Sequence, residues 1–309
     1  MSEVKGILFV VSDLEKMISF FSTVLECTKV EKAEWSGEAH EQLFQLPKTK
    51  ANMAKLKLGN ESIYLLEFFP KHKDPYPPDS CSNDLWFQHI AIVVSDMEKA
   101  YAKVTQSGAQ PISESMQTIP AWNKAAAGIQ AFYFRSPEGH PLELIYFPEG
   151  KGNPIWQDKN SLFLGIDHTA ISVSNTEESI KFYQNVLGMK IAGSSLNYGE
   201  TQEKLSGVKG AKVKITGLAF PQKKGMGIEF LEYQHPLDGR KKPKKIQAHH
   251  PMEDETIIAV DHIESTLAKL QSFHAPLLSG KLLALEGVMG FKKGIMTTDP
   301  DGHRILLVE

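Results

Sequence analysis

Cysteine is scarce. Cys27 and Cys81 are the two cysteines among 309 residues, which excludes a disulfide-stapled scaffold and leaves two distant thiols expected as inert packing residues in a reducing compartment. Long apolar runs are missing too. The start, MSEVKGILFVVSDLEKM, places only the run ILFVV before SDLEK interrupts it, too short for a signal peptide or a membrane span. A cytoplasmic protein with no membrane partner is therefore expected. There is also no strong excess of charge of one sign: the formal charge is −3 with 23% charged residues, so the electrostatic footprint of a nucleic-acid binder is absent. What remains, 41% apolar residues, is a globular composition, and the length allows two domains of about 150 residues, each able to bury a core.

The chain is internally repetitive. GILFVVSDLEKMISFF begins at Gly6, HIAIVVSDMEKAYAKV at His89, HTAISVSNTEESIKFY at His168 and ETIIAVDHIESTLAKL at Glu255. Each reads as a strand running into a helix. The pairs Ser12/Glu15, Ser95/Glu98, Ser174/Glu177 and Asp261/Glu264 have capping-box spacing, and Leu14, Met17, Ile18, Phe21 and Leu25 lie at one-face helical spacing. Each unit closes on an apolar strand: residues 63–69, 141–147, 227–233 and 304–309. Shorter strand candidates, such as 54–58 and 211–215, precede them. The unit reads β-α-β-β-β.

Units one and three share LLEFFP and FLEYQHP, whereas units two and four share the hairpin turns SPEGH (136–140) and DPDGH (299–303). The chain is thus a duplicated two-unit block, expected as domains 1–150 and 160–309 around the Gly- and Pro-rich joint 147–160.

Strand parity singles out side chains. Along the second unit's first strand His89, Ala91 and Val93 share one face, opposite Ile90, Ile92 and Val94; in the third unit His168, Ala170 and Ser172 oppose Thr169, Ile171 and Val173. The bulkier face belongs under the helix, so each histidine looks across small residues into open space. On the closing strands Glu143 sits with Ile145 and Phe147, and Glu229 with Leu231 and Tyr233. A carboxylate in an apolar face needs a cation or hydrogen-bonding partner. A lone strand histidine is ordinarily structural, but two at matched positions, each followed by a matched glutamate, point to a divalent metal, Zn, Ni, Mn or Fe. Glu67 and Glu232 fall on the other face and are expected to be structural or solvated.

The β-α-β-β-β unit, the strand starts HIAIVVSD and DHTAISVS, FYQNVLGMK (182–190), DPDGH and LELI together resemble the vicinal oxygen chelate superfamily, which includes glyoxalase I, extradiol dioxygenases and the bleomycin resistance proteins. The resemblance spans nearly the whole chain. It implies an α+β fold of four βαβββ units forming two cup-shaped mixed sheets with helices outside. It also implies ligand positions at Gly6, Tyr64, His89, Glu143, His168, Glu229, Glu255 and Leu306. Strong ligands, His89, Glu143, His168 and Glu229, occupy the middle units only. Pairing of units in order would split them between cups, whereas pairing two with three and one with four gives one complete site and one empty cup. The confinement of ligands to the middle favours the second.

The function so implied is a metal-dependent lyase or isomerase of glyoxalase type. It would act, as monomer or homodimer, on a small-molecule substrate with adjacent oxygens, and Glu143 or Glu229 would move the proton. One alternative is an extradiol-type dioxygenase, against which Glu255 and Leu306 at the required ligand positions argue. The other is a non-catalytic, ligand-sequestering protein of bleomycin-resistance type. Trp122 lies in a loop that covers the pocket in relatives or packs at the domain edge, and the stretch DGRKKPKK (238–245) with His249 and His250 is expected as a solvated linker.

Overall fold

The computed structural model describes residues 1–222, 225–285 and 288–309. In the first unit β1 (Glu3–Val10), α1 (Leu14–Thr23), β2 (Thr28–Trp35), a short α2 (Glu38–Phe44), β3 (Lys50–Leu58) and β4 (Glu61–Phe69) follow one another. The second runs β5 (Gln88–Val94), α3 (Met97–Gln106), the two-residue strands β6 (Gln110–Pro111) and β7 (Gln117–Thr118), β8 (Gln130–Arg135) and β9 (Pro141–Tyr146). The third repeats the first as β10 (Phe163–Ser172), α4 (Thr176–Asn185), β11 (Lys190–Tyr198), α5 (Glu200–Ser206), β12 (Lys212–Ala219) and β13 (Gly227–His235). The fourth has β14 (Glu255–Ala259), α6 (Ile263–Ser272), β15 (Leu283–Ala284), β16 (Lys293–Thr298) and β17 (Arg304–Val308). Among the described residues no helix is long and apolar enough to cross a membrane.

The strands form two curled mixed sheets, ordered β15-β16-β17-β14-β1-β4-β3-β2 and β11-β12-β13-β10-β5-β9-β8-β6. Units one and four therefore share one sheet, and units two and three the other. Each sheet is joined at its middle by an antiparallel pair, β1 with β14 and β5 with β10, while the closing strands lie parallel to their own unit's first strand. Both sheets consequently draw strands from both halves of the sequence.

Parity settles the layers as expected. Ile90, Ile92, Val94, Ile171 and Val173 pack with Met97, Ala100 and Val104 of α3 and with Phe182 and Tyr183 of α4 in one large core under the helices. The other face of the same strands carries smaller clusters around Ala91, Val93, Ile145 and Trp156, and around Tyr133, Ala170 and Leu231.

The caps differ from the capping-box reading by one residue. The N-caps of α1, α3 and α4 are Asp13, Asp96 and Asn175, each accepting from a first-turn amide, and that of α6 is His262, whose side chain makes no such bond. In the first three units two consecutive capping residues stand at the site (SD, SD, SN), and the second is the one whose side chain reaches back. The preceding amides are taken by the hairpin turns of other units: Glu138 accepts from Ser12 and Asp13, and Asp301 from Ser174. Glu232 accepts from the Thr176 amide and hydroxyl, a structural role, as its face implied. Glu67 is ion-paired with Lys71.

Stretch 238–245 is largely exposed, as a solvated linker would be, but it is tethered at two points. Arg240 bonds Asp84 and Asp79 and lies over the Trp86 ring, and Lys242 bonds Glu253 and the Gly302 carbonyl. Arg240 and Lys242 tie the segment down, while Lys241, Lys244 and Lys245 stay exposed.

Candidate metal centre

His89 stands opposite Ala170 across the β5–β10 ladder, and His168 opposite Ala91. In the parallel ladders beside them Glu143 pairs with Ala91, and Glu229 with Ala170. The four side chains thus surround two alanines on one concave face. Any larger residue at Ala91 or Ala170 would fill the space they share.

The resulting contacts are short. Glu143 Oε2 lies 2.9 Å from His89 Nε2 and 3.6 Å from His168 Nε2, and Glu229 Oε2 lies 3.4 Å from His168 Nε2. One ligand atom from each of His89, Glu143 and His168 falls within 4.8 Å of the others. The side chains of His89, Glu143 and His168 are nearly sealed, whereas that of Glu229 retains 31% exposure, so the centre opens on the Glu229 side.

Asp167 completes the arrangement and escaped the sequence reading. Its Oδ2 lies 2.9 Å from His168 Nδ1, and its Oδ1 accepts from Trp156 Nε1 at 2.7 Å. Strict alternation would send adjacent side chains to opposite faces, but a register shift between Ile166 and His168 breaks the alternation there. The neighbouring letters Asp-His were the available signal. With its Nδ1 hydrogen directed at Asp167, His168 turns Nε2 toward Glu143 and Glu229, the orientation in which carboxylate–histidine pairs serve metals. His89 packs 4.7 Å from the Tyr133 ring, and its buried Nδ1 has no hydrogen-bond partner among the described residues.

The electrostatics describe a place that requires positive charge. On His168, burial opposes protonation, but Glu229, Asp167 and Glu143 overcome it and raise the pKa well above the ordinary imidazole value. Burial likewise opposes the Glu143 carboxylate, yet its bonds to His168 and His89 hold it at about 2. Burial lowers His89, against the pull of Glu143, and raises Glu229, against the pull of His168. A proton on one imidazole is the least that three converging carboxylates demand; a divalent cation answers the same demand and suits this two-imidazole, two-carboxylate donor set.

The matched positions of the other sheet are closed. Tyr64 pairs with Leu8, and Leu306 with Ile257, as Glu143 pairs with Ala91. All four belong to an apolar cluster with Trp35, Phe44 and Met53 that fills this cup. Glu255 is buried against Arg304 at 2.8 Å. A cavity of about 610 Å³ does lie between the sheets, bordered by Lys55, Lys57, Tyr64, Trp156 and Asp167, but none of His89, Glu143, His168 and Glu229 lines it.

Trp122 stacks on Tyr198 at 4.4 Å, and Asn123 donates to Asn197, so the loop before β8 is fastened to β11, at the far edge of the sheet.

The sequence profile of the Glyoxalase/Bleomycin resistance protein/Dioxygenase superfamily matches residues 4–144 and 165–307. The chain belongs to that superfamily. Within it, glyoxalase I of Saccharomyces cerevisiae is 28% identical over 199 residues, covering 60% of this chain and 56% of the yeast protein. The chain therefore spans little more than half the length of that relative. The crystal structure of glyoxalase I from Zea mays superposes with a TM-score of 0.65 at 17% identity, over 100% of this chain and 92% of the maize chain. A putative dioxygenase from Bacillus subtilis gives 0.58 at 10% identity, over 99% and 84%. At these identities the two superpositions establish the superfamily fold and nothing finer.

Proposed function

We propose that the chain is a metal-dependent lyase or isomerase of glyoxalase type, acting on a small molecule with two adjacent oxygens. The observation that carries this reading is Glu143 Oε2 between the Nε2 atoms of His89 and His168, with Glu229 at the open edge. His89, Glu143, His168 and Glu229 would hold the cation, which when bound supplies Lewis-acid polarisation of the adjacent oxygens.

The protein's own groups divide the remaining work. Asp167 orients His168 and fixes its tautomer. Glu143, buried between two imidazoles, is committed to neutralising positive charge and is a poor proton acceptor. Glu229 contacts one imidazole and faces the opening, which makes it the group that takes a proton from a substrate carbon and returns it. Proton transfer between adjacent carbons suits a substrate in which a C–H lies beside both oxygens, an α-hydroxycarbonyl compound or the thiol adduct of a 2-oxoaldehyde.

The dioxygenase alternative needs a metal site in the unit-four strands, where Leu306 is packed in the apolar cluster and Glu255 is paired with Arg304. The test is incubation of protein reconstituted with Zn, Ni, Mn or Fe(II) in deuterium oxide with 2-oxoaldehydes plus small thiols and with α-hydroxyketones. Deuterium entering the product at carbon supports the reading. Oxygen uptake with catechols would replace it, and tight binding without turnover would favour sequestration.

A further inference from the structure

Outside this centre a second group of histidines is drawn together by two loops far apart in sequence. His72 and Asp74 follow β4, and His249 and His250 precede β14. The ring of His72 lies 4.4 Å from that of His250 and 4.9 Å from that of His249. One ligand atom from each of His72, Asp74 and His250 lies within 4.8 Å of the others. His249 adds a buried Nδ1 without a hydrogen-bond partner among the described residues.

Asp74 sets a carboxylate beside these imidazoles, its Oδ2 3.9 Å from His72 Nδ1, so the group offers an ion nitrogen donors together with one negative charge.

We propose that His72, Asp74 and His250, with His249 beside them, form a second divalent-metal site for an imidazole-preferring ion such as Zn²⁺, Ni²⁺ or Cu²⁺, independent of the centre at His89 and His168. Such ions favour nitrogen donors with one carboxylate. Tetrahedral bonds of about 2.0–2.1 Å put ligand atoms roughly 3.3 Å apart, so the two loops close slightly on binding.

The hydrogen bonds define what closing involves. His72 Nδ1 now accepts the Asp74 amide at 3.1 Å, and His250 Nδ1 accepts the Met252 amide at 3.1 Å. A metal bound at Nε2 moves each ring hydrogen to Nδ1. For His72 that hydrogen has an acceptor waiting, the Asp74 carbonyl at 3.4 Å. Both rings give up the amide bond they accept at Nδ1, which keeps affinity below that of the buried centre. Bound metal would clamp the exit of unit one to the entrance of unit four, across the sheet those units share.

The experiment uses the full chain, the double variant His89→Ala/His168→Ala, and that variant carrying His72→Gln/His250→Gln in addition. Stoichiometry is read by equilibrium dialysis with Zn²⁺ and elemental analysis, and thermal melts are recorded with and without Zn²⁺. The expected result is one equivalent on the double variant with an upward melting shift, both lost in the quadruple variant, whose metal-free melt and circular dichroism match those of the double. No zinc on the folded double variant overturns the proposal, and so does an equivalent that survives in the quadruple. A failure of the His89/His168 centre shows separately, as wild type binding no more metal than the double variant.

Discussion

A β-carbon on Gly6 would lie 2.0 Å from the Ser62 carbonyl oxygen. The position that carries a histidine in both middle units is thereby closed to any side chain in the first, because the backbones of β1 and β4 approach too closely there. Gly6→His should not transplant a metal site. It should destabilise the chain by about 1–3 kcal/mol or more as overpacking, read as a lower denaturation midpoint, with metal content unchanged. A stable variant that gains an equivalent of metal would contradict this account of the outer cup.

Asp167 is predicted to act through His168. Asp167→Asn keeps the shape but replaces the carboxylate that receives the Nδ1 hydrogen, and should weaken metal binding by about 10–100-fold in a competition titration against a chelator. Trp156→Phe, which removes the bond to the other oxygen of Asp167, should weaken it less. Equal affinity in wild type and Asp167→Asn would mean that the contact is packing alone.

The two glutamates should separate. Glu143→Gln removes the carboxylate shared by both imidazoles and is expected to abolish tight metal binding. Glu229→Gln should retain metal at reduced affinity while losing deuterium exchange into substrate by about 10²-fold or more. Loss of metal in both variants to the same extent would leave the proton-moving role without support.

His40 makes the fold sensitive to acid. It is fully buried among Trp35, Phe44 and Phe68, and burial lowers its pKa from 6.5 to about 4. The unfolded chain takes up this proton near pH 6.5 while the folded chain holds out to about 4, so the stability is intact above 6.5 and falls as pH descends between the two values. Between pH 7 and pH 5 the loss from this residue is about 2 kcal/mol. Urea titrations of wild type and His40→Phe at both pH values should show a drop smaller by that amount in the variant; identical drops would refute the assignment.

Much of this was legible in the sequence, for identifiable reasons. The unit structure could be read because every copy repeats a strand, a polar cap and an amphipathic helix, and His89, Glu143, His168 and Glu229 could be placed on one face because alternation holds along β5, β9 and β13. The sharing of a sheet by units two and three was visible only indirectly, through the confinement of ligands to those units; strand pairing between sequence-distant units leaves no local mark. Asp167 was invisible because a register shift beside it defeats parity. The helices α2 and α5 are single seven-residue elements with glycine N-caps, too short for periodicity to announce. His249 and His250 looked like linker because their partner, His72, lies in a loop whose approach depends on units one and four sharing a sheet.

The central claim is that one metal centre is assembled by units two and three. Anomalous diffraction from crystals of the full chain soaked in Zn²⁺ tests it most directly. A peak is expected within about 2.0–2.2 Å of His89 Nε2, His168 Nε2 and Glu143 Oε2, with Glu229 completing the sphere. An ordered, soaked crystal whose anomalous peaks all lie elsewhere would contradict it.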